Sequence, residues 1–199
     1  MPKRLIIATN NRHKVIEIRE VLSGLKVEIV SPSDLGLDLN VVEDALTYGE
    51  NAALKAKGFA QASGYWAIAD DSGIEIAGLG NQPGVFSARY AGPEATDSQR
   101  VDLLLKSLAE KPAASRDARF VCAIALASPN GALWTVSGEL RGVVAPEPRG
   151  KGGFGYDPIM YLPELGRTVA ELTSEEKHAV SHRGRALRVA RPLIELFVG

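Results

Sequence analysis

The sequence predicts an α/β fold built on a mixed β-sheet. Strand and helix patterns alternate through its first hundred residues, as parallel strands with crossover helices require. Two long strand patterns then flank Pro129-Asn130-Gly131, whose Asn-Gly pair is the strongest short hairpin signal, so antiparallel pairing enters late. No internal repeat, low-complexity tract or linker-like stretch interrupts the 199 residues, which read as a single domain over 1–199.

Leu5 to Ala8 is a short apolar run halted by Thr9-Asn10-Asn11, the pattern of a buried strand entering a loop. Val15, Ile18 and Leu22 recur at spacings of three and four, which predicts an amphipathic helix closed by Ser23-Gly24. Lys26 to Val30 alternates and is rich in β-branched residues, so it predicts a second strand, and Ser31-Pro32-Ser33-Asp34 is turn chemistry. Residues 34–46 are irregular, with Glu43 and Asp44 near their end. Thr47 and Glu50 form a capping box for a helix running through Ala52, Ala56 and Ala60 to Gly64. Trp66 to Ala69 predicts a third strand that ends on Asp70-Asp71-Ser72-Gly73, followed by an apolar segment, Ile74 to Leu79, and a Gly/Pro-rich loop. Thr96 and Gln99 make a second capping box, opening a helix through Leu103, Leu104 and Leu108. Ala118 to Ala127 and Leu133 to Val144 are the hairpin strands, and the glycine-rich loop PRGKGGFGYDP comes after them. A helical region from Ser174 to Phe197 closes the chain, with breaks expected near Ser181 and at Pro192.

Composition narrows the function. At 45% hydrophobic and 24% charged residues the chain holds enough apolar material for a sizeable core, which excludes disorder, collagen and coiled coil. Lys and Arg number 23 against 24 Asp and Glu. That balance provides no global field for nucleic acid or an anionic membrane, and only local basic clusters could take an anion. The single cysteine, Cys122, forbids an internal disulfide and fits a reducing cytosol. The opening MPKRLIIATNN has too short an apolar run for a signal peptide, so a cytoplasmic protein is expected.

Five constellations could carry chemistry. Thr9-Asn10-Asn11-Arg12-His13-Lys14 lies where a strand gives way to a helix, whose free N–H groups and partial positive charge suit phosphate. It also reads as an ordinary polar turn, and no P-loop or dinucleotide glycine spacing is present. Asp70-Asp71-Ser72-Gly73 places two adjacent carboxylates after a buried strand, a costly arrangement unless a cation compensates them. Mg²⁺, which takes one or two carboxylates and fills its shell with phosphates and water, would suit; an Asx-turn is the alternative. Glu43 precedes the capped helix that carries Asn51 and Lys55 on one face, and could pair with Asp71, whereas Glu50 already serves the capping box. Gly152-Gly153-Phe154-Gly155-Tyr156-Asp157 lets backbone approach a ligand and offers aromatic faces to stack a base, unless it is merely a flexible surface loop. Lys177 adds a cation, and Ser181 reads as an N-cap that puts His182 and Arg183 at a helix start, where cations are locally awkward, although His182 taken alone reads as a plain surface residue. Cys122 reads as core, and neither a serine-hydrolase elbow nor a metal-binding His/Cys spacing is present.

Taken together, ATNNRHK, LTYGENAALKA, IADDSGIEI, PGVFSARYAG, ARFVCAIA, PRGKGGFGYDP and AELTSEEKHAVSHRG resemble the inosine triphosphate pyrophosphatase family almost end to end. The resemblance implies hydrolysis of ITP, dITP and XTP between the α- and β-phosphates, with Mg²⁺, by a homodimer. It also implies an elongated mixed sheet in two lobes with the site in a central cleft. Asp71 matches the general base and a metal ligand, and Glu43 the other metal carboxylate, while Asp70 as a second base is left open. Thr9 to Lys14, Lys55 and Ser72 match substrate contacts. Phe154, Gly155, Tyr156, Asp157, Lys177, His182 and Arg183 match nucleoside recognition.

Overall fold

β1 (Arg4–Ile7) begins the described part of the chain, residues 3–199 of a computed structural model, and encloses Leu5, Ile6 and Ile7 completely. It leads into α1 (Arg12–Val21) through Asn11, whose side-chain oxygen accepts the amide hydrogens of His13 and Lys14 as an N-cap. β2 (Glu28–Val30) follows, then α2 (Tyr48–Ser63), capped by the Thr47 hydroxyl and ended by Gly64 as predicted. Glu50 turns its carboxylate onto the Thr47 hydroxyl at 2.7 Å. β3 (Trp66–Ile76) and β4 (Gln82–Pro83) precede α3 (Asp97–Ala109), where both halves of the Thr96–Gln99 capping box form. β5 (Asp117–Ala127) and β6 (Leu133–Val144) stand on either side of the Asn130-Gly131 turn, and β7 (Met160–Leu162) and β8 (Arg167–Thr168) complete the strands. α4 (Ser174–Val180) and α5 (His182–Phe197) close the chain.

Among the described residues, the strands form one sheet of order β2-β1-β3-β5-β6-β7-β8, with β4 paired to β3. β1 pairs in parallel with β2 and β3, whereas β4 on β3, β7 on β6 and β8 on β7 are antiparallel. The sheet is therefore mixed, as the early alternation and late hairpin require.

Two expectations are corrected. The strand predicted to stop at Ala69 runs on through Asp70-Asp71-Ser72-Gly73 to Ile76, so this segment is neither a loop nor an Asx-turn. Residues 67–71 are all buried, which erases the period-two pattern that marks a half-exposed strand. The cations that let two carboxylates stay inside the strand, Lys14, Lys55 and Arg183, come from distant points of the chain. The second correction concerns Pro192, which sits inside α5 rather than ending it. Pro192 is exposed, and with no N–H to give it leaves one helix carbonyl without its usual donor. The break at Ser181 stands, as an extended residue between the last two helices.

The chain divides into two compact units, neither of them a continuous stretch. The first comprises Met1–Asp71, Cys122–Gly138 and His182–Gly199, and its core is built from Leu5, Ile7, Ile18, Ile68, Ile124, Leu126, Leu187 and Ile194. The second comprises Ser72–Val121 and Glu139–Ser181, and packs Ile74, Ile76, Val101, Leu104, Phe120, Leu140 and Met160 together.

Candidate active site

Within the first unit, Asp70 is fully buried on β3 and collects three cationic contacts. Arg183 Nε and Nη2 donate to its Oδ2 at 3.1 and 2.8 Å, and Lys14 Nζ lies 3.1 Å from the same oxygen. Arg183 Nη1 reaches on to Glu17 Oε2 at 2.6 Å. Burial alone would raise the Asp70 pKa, but Lys14, Arg183 and Lys55 outweigh it and hold the carboxyl far below the usual carboxylate range. A carboxylate that binds no proton at working pH and touches no solvent is a poor base. Asp70 is instead the anchor that aims Lys14 and Arg183.

Asp71, the next residue, faces a different set of groups. Asn51 Nδ2 donates to its Oδ2 at 3.2 Å, and Lys55 Nζ lies 3.8 Å from its Oδ1. The same ammonium donates to Glu43 Oε2 at 2.5 Å. Asn51 also ties down the end of the loop that carries Glu43, since its amide exchanges hydrogen bonds with the Ala45 N–H and carbonyl. Burial first, and Glu43 with it, raise the Asp71 pKa above the ordinary value, against the pull of Lys55 and Lys14. Burial works to lower the Lys55 pKa, but Asp70, Asp71 and Glu43 overcome it and keep the ammonium charged.

The donor set fits a hard divalent cation. Glu43 and Asp71 both turn an oxygen toward one ammonium nitrogen, so the two carboxylates already converge on a cation. No group of three or more His, Cys, Asp or Glu side chains is placed to hold a metal among the described residues. Two carboxylates with the remaining positions left to water and phosphate is the arrangement Mg²⁺ favours.

In the second unit the glycine-rich loop is folded around Asp157, which is buried. Its Oδ2 accepts the Phe154 N–H at 2.9 Å and the Lys177 ammonium at 2.6 Å, and that ammonium lies 4.8 Å from the Phe154 ring centroid. The Tyr156 hydroxyl donates to the Ser87 carbonyl at 2.9 Å, and burial pushes its pKa up. The loop is thus an ordered surface with an aromatic ring, a carboxylate and a cation at one place. Gly153 makes the turn possible at φ +70°, where an added methyl would overlap Asp157 Oδ2 and lie 2.9 Å from its Cγ. Gly153→Ala is expected to destabilise the protein by about 1–3 kcal/mol. Gly155→Ala, at φ +62° but in open space, should cost only the backbone strain of about 1 kcal/mol. Denaturant midpoints of the two variants compare them directly.

The remaining candidates separate by role. Thr9 Oγ1 accepts the Asn11 N–H at 3.2 Å, and Asn10 donates to the Leu39 carbonyl, so the turn before α1 is internally braced. Arg12 and His13 are exposed in the first turn of α1, and Ser72 is half-buried beside Asp71 on β3. His182 is buried at the start of α5. Glu17, the buried partner of Arg183, belongs to none of the five sequence constellations. Its signal was a carboxylate three residues after Lys14, on the helix stripe shared with Val21. Asn51, which in the sequence stands out only as a neighbour of Lys55, joins α2, the Glu43 loop and Asp71.

Comparison with known proteins identifies the family. A dITP/XTP pyrophosphatase of Geobacter sulfurreducens is 47% identical over 188 residues, 94% of either chain. One from Exiguobacterium sibiricum is 43% identical over 98% of this chain and 99% of its own. The solved structure of a HAM1 protein from Coxiella burnetii superposes with a TM-score of 0.88 at 41% identity, covering 96% of this chain and 98% of that one. The nucleoside-triphosphatase / dITP/XTP pyrophosphatase of Mycobacterium abscessus gives 0.74 at 42%, covering 95% and 99%. The family model for the Ham1 family matches residues 5–193, and with relatives this similar along nearly its whole length, the chain belongs to the Ham1 family.

Proposed function

We propose that this protein hydrolyses the non-canonical purine nucleotides ITP, dITP and XTP to the monophosphate and pyrophosphate, which keeps them out of DNA and RNA. The observation that carries the reading is the convergence of Glu43 and Asp71 on Lys55, beside a Lys14 aimed by Asp70. Phosphoanhydride cleavage needs positioning and charge neutralisation more than covalent chemistry, and this cluster offers both. Glu43 and Asp71 would hold Mg²⁺, which when bound neutralises charge on the phosphate oxygens. Asp71 orients the attacking water and takes its proton. Lys14 and Lys55 neutralise the remaining phosphate charge, assisted by the Thr9-Asn10-Asn11-Arg12-His13 turn and by Ser72.

Phe154 stacks the base, with Gly155, Tyr156 and Asp157 shaping its surroundings. Lys177, His182 and Arg183 serve the nucleoside, and selectivity rests on donors to a 6-keto oxygen that adenine lacks. A buried donor left facing an amino group disfavours ATP strongly. The resemblance also carries a homodimer acting in the cytoplasm. No helix among the described residues is long and apolar enough to cross a membrane.

Product analysis with Mg²⁺ tests the reaction. IMP or XMP with pyrophosphate is the expected outcome, with little turnover of ATP. Orthophosphate release would move the cleaved bond, and tight ITP binding without turnover would make the protein a nucleotide sensor instead. Chelation by EDTA is expected to abolish turnover and added Mg²⁺ to restore it; unchanged activity in EDTA would remove the metal from the mechanism.

A further inference from the structure

Asp97, the first residue of α3, lies outside every group described above, yet it holds the glycine-rich loop. Its Oδ1 accepts from Arg100 Nη1 at 2.7 Å, one turn along the helix, and its Oδ2 accepts the Gly155 N–H at 2.7 Å. That amide belongs to the peptide directly after Phe154. Other hydrogen bonds hold the loop as well, among them Phe154 N–H on Asp157, Gly152 N–H on the Ala170 carbonyl and the buried Tyr156 hydroxyl on Ser87. Asp97 is half exposed and reaches the loop from α3, held in place by a largely buried Arg100 side chain.

The pinned peptide needs holding. Gly155 has φ +62° and nothing stands where a Cβ would, so no side chain limits its rotation, and the Phe154 carbonyl of the same peptide accepts the Asp157 N–H at 3.2 Å. A planar peptide held at its carbonyl by a neutral N–H and at its own N–H by a charge-assisted bond to Asp97 is fixed in both directions. The Asp97 bond is the stronger of the two restraints on the direction of the Phe154 ring. Ring position in turn sets the spacing to Lys177, whose ammonium lies against the ring face.

We propose that Asp97, steadied by Arg100, is a positioning residue for base discrimination: it fixes the Phe154–Gly155 peptide and so the surface on which the base stacks. This rests on the reading of Phe154 as the stacking residue. The test is steady-state kinetics of the Mg²⁺-loaded full-length protein with ITP and ATP. Asp97→Ala is expected to raise KM for ITP about tenfold, as the competent loop population falls to about a tenth. Its kcat should stay within about twofold, and the preference for ITP over ATP should fall. Asp97→Asn, which keeps a neutral acceptor for the Gly155 N–H, should recover most of the KM. Arg100→Ala loosens the carboxylate without touching the loop and should raise KM about threefold. A residue that merely stabilised α3 would lower the active fraction and hence kcat, leaving KM and preference alone; that pattern overturns the proposal. So does an Asp97→Asn variant no better than Asp97→Ala. Phe154→Ala separates the two ideas: if it changes KM and preference while Asp97→Ala does not, the positioning role falls alone. If Phe154→Ala changes neither, the stacking reading falls and takes this proposal with it.

Discussion

Asp71→Asn is expected to lower kcat by at least about a thousandfold while leaving the fold intact. General-base catalysis contributes about 10²–10⁴ in rate, and this substitution also takes away one of the two carboxylates available to Mg²⁺. Its cost in stability should be small. The amide is isosteric and can still accept from Asn51 Nδ2, now 3.2 Å from Asp71 Oδ2. Lys55 is not left alone, because Glu43 Oε2 remains at 2.5 Å. The folded protein raises the Asp71 pKa, chiefly through burial, so ionising this group works against folding at neutral pH. A neutral amide removes that opposition, and the denaturation midpoint should equal or exceed the wild-type value, as expected where an active site is built at the expense of stability. Wild-type kcat in Asp71→Asn would show that another group handles the water. A large loss of stability would show that the kinetic defect is only misfolding.

The α/β class, both capping-box helices and the hairpin were legible because each rests on local chemistry: Thr47, Thr96 and Asn130-Gly131 act within a few residues of themselves. The candidate carboxylates were legible too, since two adjacent acids in an apolar run demand an explanation from any reader of the sequence. Their local chemistry does not separate the two; only the resemblance gives the base to Asp71, and it leaves Asp70 open as a second. Asp70 and Asp71 are neighbours with the same side chain, and only the folded chain gives one to Lys14 and Arg183 and the other to Asn51 and Lys55. The partners of Asp70 lie 56 residues before it and 113 after it, beyond any periodicity argument. Arg183 shows the same limit: the SHR motif points to a nucleoside contact, and the fold adds a fully buried link between Asp70 and Glu17. The Asp97 contact with Gly155 spans 58 residues and left no trace in either local pattern.

Asp70→Ala is the variant expected to damage the fold most. Removing one partner of a buried ionic group typically costs about 3–5 kcal/mol, because the charges left behind are neither solvated nor paired. Here Arg183 would keep Glu17 for one nitrogen and lose the acceptor of two others, and Lys14 would lose its anchor. The acid limb of the stability profile gives a second reading of the same interaction. The folded pKa of Asp70 is depressed, so its contribution is complete above the ordinary carboxylate pKa near 4 and is lost as pH falls from there toward the folded value. Urea denaturation should therefore show a wide gap between wild type and Asp70→Ala that is constant from about pH 6 to 8 and narrows below about pH 4. A gap that persisted undiminished into acid would assign the loss to the missing side-chain volume instead of the charge. An Asp70→Ala protein as stable as wild type would strip the residue of its structural part. The two adjacent acids would then have to be separated again, with Asp70 restored as a candidate for the proton transfer here given to Asp71.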